Sequence, residues 1–290
     1  MLFRSPPDGN VTPHLPDVDE GALQAALDDV LNELAIARTG VIHAGAMVER
    51  RRVAAALFDL ATAAGLPVAT SSLARGVFPE RHELGLGIYM GAVSPEPVVR
   101  RMEGADLVLS LGVLQTDLTL GGFTAELDHH HHVLCSDTDV TVQHRTYRNV
   151  PLWAFLPALA RAAQGQAIQH EHDSLDPHPP FQPTDSPLDV ARTIEAINAH
   201  MDERHGLLLD PGEALFASTD MRVPTWAHGS AYYATMGYAL PAALGAGKAD
   251  PQRRPVVITG DGAFAMTGLE IAACAFHQVP VILIILDNSG

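Results

Sequence analysis

Cysteine is nearly absent from this chain: Cys135 and Cys274 are the two in 290 residues. That excludes a disulfide-stapled secreted scaffold. Positive charge is scarce as well. Lys plus Arg number 18 against 34 Asp plus Glu, a formal net charge of −16. So acidic a chain lacks the basic footprint by which proteins hold nucleic acid, and anionic lipid surfaces repel it. Long apolar runs are missing too. The longest, Val279–Leu286, falls far short of the ~20 residues that span a bilayer, and the opening MLFRSPPDGN has no apolar core of signal-peptide length. The expectation is a cytoplasmic protein with neither nucleic acid nor membrane as partner. What is abundant is core material: 47% of the residues are apolar, which rules out a disordered chain. The length accommodates about two domains of roughly 100–200 residues each.

Residues 1–20 are rich in Pro, Asp and Gly and read as a linker or loose arm. A first domain is expected over 21–165. Apolar residues at helical spacing predict a helix over Ala22–Leu34 and a single helix over Val48–Ala64, stopped by Gly65. Further helices are expected over Pro95–Met102 and Trp153–Ala163, with strands at Thr39–Ala44, Val68–Thr70, Leu107–Leu111 and His132–Ser136. Continuous apolar strands alternating with helices indicate a parallel sheet covered on both faces. Residues 166–186, rich in Pro and His, read as a linker. A second α/β domain then occupies 187–290. It is expected to open with Ser186 as N-cap and Pro187 at the first helical position. A strand at Leu207–Leu209, a small-residue helix over Ala231–Lys248, a strand at Pro255–Thr259, a helix at Leu269–Phe276 and a strand at Pro280–Leu286 follow. The fold class is therefore α/β, with two doubly wound parallel-sheet domains.

The chemistry concentrates in VVITGDGAFAMTGLEIAACAFHQVPVILIILDNSG, residues 256–290. An apolar strand ends at Gly260-Asp261-Gly262, a helix follows, and a second apolar strand ends at Asp287-Asn288. Such a βαβ unit makes the strands parallel. If they are neighbours, Asp261 and Asn288 project from the carboxyl edge of one sheet, where α/β folds bind ligands. A carboxylate beside an amide oxygen suits a hard divalent cation such as Mg2+. Gly260 and Gly262 let backbone approach a ligand, and the N–H groups of Gly262 and Ala263, at a helix N-terminus, favour a phosphate. A Mg2+-diphosphate site follows. The competing reading of Asp261 is a turn former between two glycines.

GDG, 25 intervening residues and then Asn288 resembles the signature of thiamine-diphosphate-dependent enzymes, in which GDG is followed by a paired NN; Asp287 replaces the first Asn here. The resemblance implies that Asp261, Asn288 and the carbonyl of Gly290 bind Mg2+, and that the metal holds the cofactor diphosphate. Leu207-Leu208-Leu209-Asp210-Pro211-Gly212-Glu213 looks like the family's strand and diphosphate-side turn, with Glu213 either on the cofactor side or merely solvated. AYYATMGYALP, residues 231–241, resembles the segment against the cofactor. By that likeness the Ala234 carbonyl accepts from the aminopyrimidine, and Met236 lies under the thiazolium and bends the cofactor; the alternative for Met236 is an ordinary core residue. Residues 20–165 resemble the family's central domain, through GVIHAGAMVERRRVAAALFDLATAAGLPVATSSLARGVFPERHELGLGIYMG and ADLVLSLGV.

AYYATMGYALPAALGAG and GDGAFAMTGLE are most similar to the indolepyruvate and phenylpyruvate decarboxylases. That likeness implies a 2-keto acid substrate, thiamine diphosphate and Mg2+ as cofactors, and a homodimer or homotetramer when complete. It also implies a pyrimidine-binding domain bearing the activating glutamate, which finds no room in this chain, so no catalytic residue is assigned within it. The diphosphate-binding domain is expected to be incomplete at its C-terminus, and the chain an internal fragment or the product of a disrupted gene, without measurable keto-acid decarboxylation. The rivals are an acetolactate-synthase-like carboligase, which would bind FAD centrally, and a catalytically dead cofactor-binding subunit. Of the remaining features, the run His129–His132 reads as an exposed loop, His170, His172 and His178 as solvated, and Cys274 as a buried structural thiol.

Overall fold

The structure is a computed structural model, and it describes residues 17–164, 181–185 and 187–288. Most of the arm expected over 1–20 and most of the linker over 166–186, Ser186 included, lie outside the described residues, as do Ser289 and Gly290. In chain order the first group of elements is α1 (Glu20–Ile36), β1 (Gly40–Ala44), α2 (Ala46–Arg50), α3 (Ala54–Ala64), β2 (Val68–Thr70), β3 (Gly85–Ile88), α4 (Glu96–Glu103), β4 (Leu107–Leu111), β5 (His132–Cys135), β6 (Val140–Val142), β7 (Arg145–Tyr147) and α5 (Leu152–Gln164). Their strands form one sheet ordered β3-β2-β1-β4-β5-β6-β7. The first five are parallel, and β6 and β7 extend the edge as an antiparallel hairpin. Helices α1, α3 and α5 cover one face, burying Leu34, Leu57, Leu60, Phe155 and Leu159 against Ile42 and Leu109. Helix α4 covers the other through Val98 and Met102. With both faces covered, β1 and β4 are buried at every position, which is why they read as continuous apolar runs.

The second group is α6 (Val190–His200), β8 (His205–Leu209), α7 (Glu213–Ala217), β9 (Ala227–Gly229), α8 (Ala239–Ala249), β10 (Arg254–Gly260), α9 (Asp261–Thr267), α10 (Glu270–Phe276) and β11 (Ile282–Leu286). All four strands are parallel, in the order β11-β10-β8-β9. Helices α6 and α7 pack on one face through Ile194, Ala214 and Leu215, and α8 packs on the other through Ala239 and Ala243. No helix among the described residues is long and apolar enough to cross a membrane.

Several expectations need correction. The single helix over Val48–Ala64 is broken into α2 and α3 at Arg52, whose φ is 56°. Three consecutive arginines supply no apolar stripe across the break, and Arg51 turns away to form a two-pronged ion pair with Asp137 beyond β5, at 2.6 and 2.5 Å. The N-cap of α6 is Asp189, which accepts from Arg192 N at 2.8 Å. Helix α8 begins only at Ala239, because a buried carboxylate takes the N–H groups of Tyr238 and Ala239. Pro241 then sits in its first turn, where a missing N–H is harmless. The helix expected after Gly260-Asp261-Gly262 is present as two, α9 and α10, parted at Gly268-Leu269. Strands β3, β6, β7 and β9 escape a reading by periodicity, being three or four residues long and carrying Gly, Thr, Arg or His. His130 and His131 are exposed as expected. His132 is not: it opens β5, is buried, and its Nε2 lies 2.7 Å from Ser110 Oγ. Cys274 is buried, and burial, then Glu270, push its thiol pKa up.

Candidate cofactor site at the carboxyl edge of the second sheet

Strand register decides which residues meet. Gly260 pairs with Leu286, so Asp261 and Asp287 leave adjacent strands at the same level and Asn288 follows one residue on. Adjacent strands stand about 4.8 Å apart, which puts both proposed Mg2+ ligands at one edge. Ile258 pairs with Leu209 and Leu209 with Gly229. The Asp210–Glu213 turn and the segment after Gly229 therefore open onto the same edge. The structure thus gathers Gly212, Glu213, Gly260, Asp261, Gly262, Ala263 and Asn288, with the 230–237 segment beside them; Gly290 lies outside the described residues.

Asp210 holds this edge together, and the sequence reading passed over its role. It is buried; Oδ1 accepts from Tyr238 N at 2.8 Å and Ala239 N at 3.1 Å, and Oδ2 accepts from Thr259 Oγ1 at 2.6 Å. One carboxylate thereby caps α8, fixes β8 against β10 and sets where the 230–237 segment ends. The signal was present: an Asp directly after an apolar strand, the same pattern that drew attention to Asp261. The segment itself is irregular. Ala234 has φ 51° and Gly237 φ 78°, Thr235 N donates to Ser230 Oγ at 3.0 Å, and the Gly237 carbonyl accepts from Thr267 Oγ1 of α9 at 3.0 Å. A Cβ on Gly237 would stand 2.9 Å from Thr267 Cγ2, so this glycine is required by the close approach of α9.

The other glycines answer a different need. A Cβ on Gly212, Gly260 or Gly262 would meet nothing within 4 Å. Gly212, at φ 94°, is required by its backbone; among the described residues nothing requires Gly260 or Gly262. They leave an open cradle, the room a bound diphosphate would fill. The donor set fits as well. Among the described residues no three His, Cys, Asp or Glu side chains cluster as a metal site. One carboxylate and one amide oxygen beside open backbone match Mg2+, which keeps phosphate and water oxygens in its shell. Glu213 is exposed at the first turn of α7. Met236 is 52% exposed and so is no core residue of this chain. Tyr233 at 83% and Leu269 at 91% exposure make the rim beside it apolar and uncovered.

The carboxyl edge of the first sheet is closed by contrast. Its strand order reverses between β1 and β4, the place where doubly wound folds admit a dinucleotide. There Gly45 N donates to Leu111 O at 2.9 Å and Met47 N to Gly112 O at 3.1 Å, and a Cβ on Gly45 would overlap the Gly112 carbonyl.

Comparison with known proteins agrees with this geometry. Residues 27–162 match the central domain of thiamine pyrophosphate enzymes, and residues 213–290 match their C-terminal TPP binding domain. The indole-3-pyruvate decarboxylase of Azospirillum brasilense is 28% identical over 277 residues, covering 94% of this chain and 51% of that protein. An alpha-keto-acid decarboxylase of Mycobacterium ulcerans is 28% identical over 254 residues, 86% of this chain and 45% of the relative. A pyruvate decarboxylase of Neurospora crassa is 27% identical over 294 residues, 94% of this chain and 49% of the relative. The chain spans about half the length of the curated relatives it matches. With the two domain matches accounting for most of its length, the chain belongs to the thiamine pyrophosphate enzymes.

Proposed function

We propose that this chain holds the diphosphate and Mg2+ of thiamine diphosphate for a non-oxidative 2-keto acid decarboxylase of the indolepyruvate or phenylpyruvate kind. The observation that carries the reading is the open glycine cradle at Gly260 and Gly262, flanked by Asp261 and, on the next strand, Asn288. Asp261 and Asn288 supply hard oxygens to the metal, with the Gly290 carbonyl as third ligand. The N–H groups of Gly262 and Ala263 face the diphosphate. The Gly212–Glu213 turn bounds the cradle on its other side, and Met236 and the Ala234 carbonyl stand toward the rest of the cofactor. When bound, thiamine diphosphate supplies an electron sink for the carbanion left as a 2-keto acid loses CO2. The names of the relatives support the substrate class.

On its own the 290-residue chain is proposed to show no keto-acid turnover, because the described residues leave Met236 and Leu269 uncovered. The same apolar rim supports assembly as a homodimer or homotetramer in the complete enzyme, and two free, buried cysteines suit the cytoplasm. The relatives, named as decarboxylases, weigh against a carboligase. Titration calorimetry tests the reading. Thiamine diphosphate with Mg2+ should bind the chain, and Asp261→Ala should abolish the heat; unchanged affinity in that variant refutes the metal assignment.

A further inference from the structure

A buried ion pair joins the first group of elements to the second. Arg75 follows the 3-10 turn Ser72–Ala74 at the carboxyl end of β2, and its side chain and that of Glu80 are 1% and 2% exposed. Every N–H of the guanidinium has an acceptor. Nε and Nη2 donate to Glu80 Oε1 and Oε2, each at 3.0 Å. The remaining N–H groups cross to the turn after α7: Nη1 donates to Ser218 O at 3.0 Å and Ser218 Oγ at 3.1 Å, and Nη2 to Met221 O at 3.0 Å. Glu80 Oε2 also accepts from Val223 N at 2.7 Å. Ser218 Oγ passes the connection on to Leu215 O of α7 at 2.7 Å.

The surroundings repeat the pattern. Arg81 donates to Arg222 O at 3.0 Å and Met201 O at 3.1 Å, and Arg222 donates back to Gly85 O at 2.9 Å. Gly76, at φ 85°, lies so close that a Cβ would stand 3.1 Å from Trp226 Cα and 3.2 Å from Thr225 O. The segment grasped, 218–226, runs from the end of α7 to the start of β9. Helix α7 begins at the Gly212–Glu213 turn, and β9 leads into the 230–237 segment. Both parts of the site that do not lie on the β10–α9–β11 unit are therefore held from the central domain.

We propose that Arg75, oriented by Glu80, is a positioning residue for the cofactor site, fixing where the Gly212–Glu213 turn and the 230–237 segment stand against the cradle. The proposal rests on the reading of that cradle as the thiamine diphosphate site. An apolar pair of similar volume stabilises a buried location as well as an ion pair does. What the guanidinium adds is direction, a planar fork of donors that neither Met nor the single ammonium of Lys reproduces.

Arg75→Met alone strands the Glu80 carboxylate and risks the fold, so the decisive variant is Arg75→Met/Glu80→Met. It should still fold cooperatively but melt below the wild-type temperature, because the Val223 N–H and the Ser218 and Met221 carbonyls lose their partners. Amide exchange over 213–223 should quicken by about tenfold or more, a factor corresponding to about 1.4 kcal/mol, with β1 and β4 unchanged. Affinity for thiamine diphosphate with Mg2+ should fall by a similar factor, and Arg75→Lys should not restore it. Unchanged exchange over 213–223, or loosened exchange with wild-type affinity, overturns the positioning role while leaving the cofactor reading intact. A wild-type chain that takes up no thiamine diphosphate refutes the cofactor reading, and with it a positioning role toward that cofactor.

Discussion

His43 should make the chain sensitive to mild acid. It lies in the middle of β1, fully buried, and neither ring nitrogen has a hydrogen-bond partner. Its neighbours offer no negative charge. Ser110 is its register partner on β4, the Tyr89 ring meets it edge-on at 5.3 Å between centroids, and His132 lies beyond Ser110. Burial, then the charge on His132, lowers its pKa from 6.5 to about 3. The folded chain thus keeps this imidazole neutral while the unfolded chain protonates it near pH 6.5. Stability is lost as pH falls below about 6.5, at about 1.4 kcal/mol per pH unit, until the folded state protonates as well near pH 3. Between pH 7 and pH 5 the loss from this group is about 2 kcal/mol, a large share of the roughly 5–15 kcal/mol that holds a domain folded. Urea unfolding of wild type and His43→Leu at both pH values isolates it, since the other histidines cancel in the difference. Leu removes two unpaired buried nitrogens, so the variant should be at least as stable at pH 7. It should also lose about 2 kcal/mol less on going to pH 5. Equal losses in the two proteins would refute the reasoning.

Asp210→Ala should cost about 2–3 kcal/mol, because it removes the cap of α8 and leaves the N–H groups of Tyr238 and Ala239 without their acceptor; chemical denaturation measures it, and a loss under about 0.5 kcal/mol, the range of surface substitutions, contradicts the role given to this residue. Gly262→Ala separates fold from function. The position lies in α9 with nothing within 4 Å of a Cβ, so the chain should gain up to about 1 kcal/mol of stability. The methyl group should at the same time lower thiamine diphosphate affinity by at least about tenfold, or 1.4 kcal/mol. Unchanged affinity would mean that the cradle holds no phosphate.

The site was legible in the sequence where apolar strands end in chemistry-bearing residues. The strands read at Pro255–Thr259 and Pro280–Leu286 announce parallel neighbours, and the residues that follow them fall at one edge without any need for long-range information. Asp261 and Asn288 could be placed for that reason. Asp210 was as visible but was absorbed into a strand and turn, because its partners, Tyr238 and Thr259, lie 28 and 49 residues away. Helix boundaries failed where side chains were captured from elsewhere: Arg51 by Asp137, and the start of α8 by Asp210. The edge hairpin β6–β7 failed because its pattern is short and half polar. The Arg75–Glu80 pair carries no local signal at all, since Ser218 is 143 residues from Arg75. A buried polar cluster of this kind can be found only once the two sheets are placed together.

Crystals of the chain grown with thiamine diphosphate and Mn2+ in place of Mg2+ test the central claim most directly. The anomalous map should show one strong peak within coordination distance, about 2 Å, of a carboxylate oxygen of Asp261 and the side-chain oxygen of Asn288, with the diphosphate against Gly260–Ala263. A metal peak away from Asp261, or a diphosphate away from the Gly260–Ala263 backbone, would contradict the account.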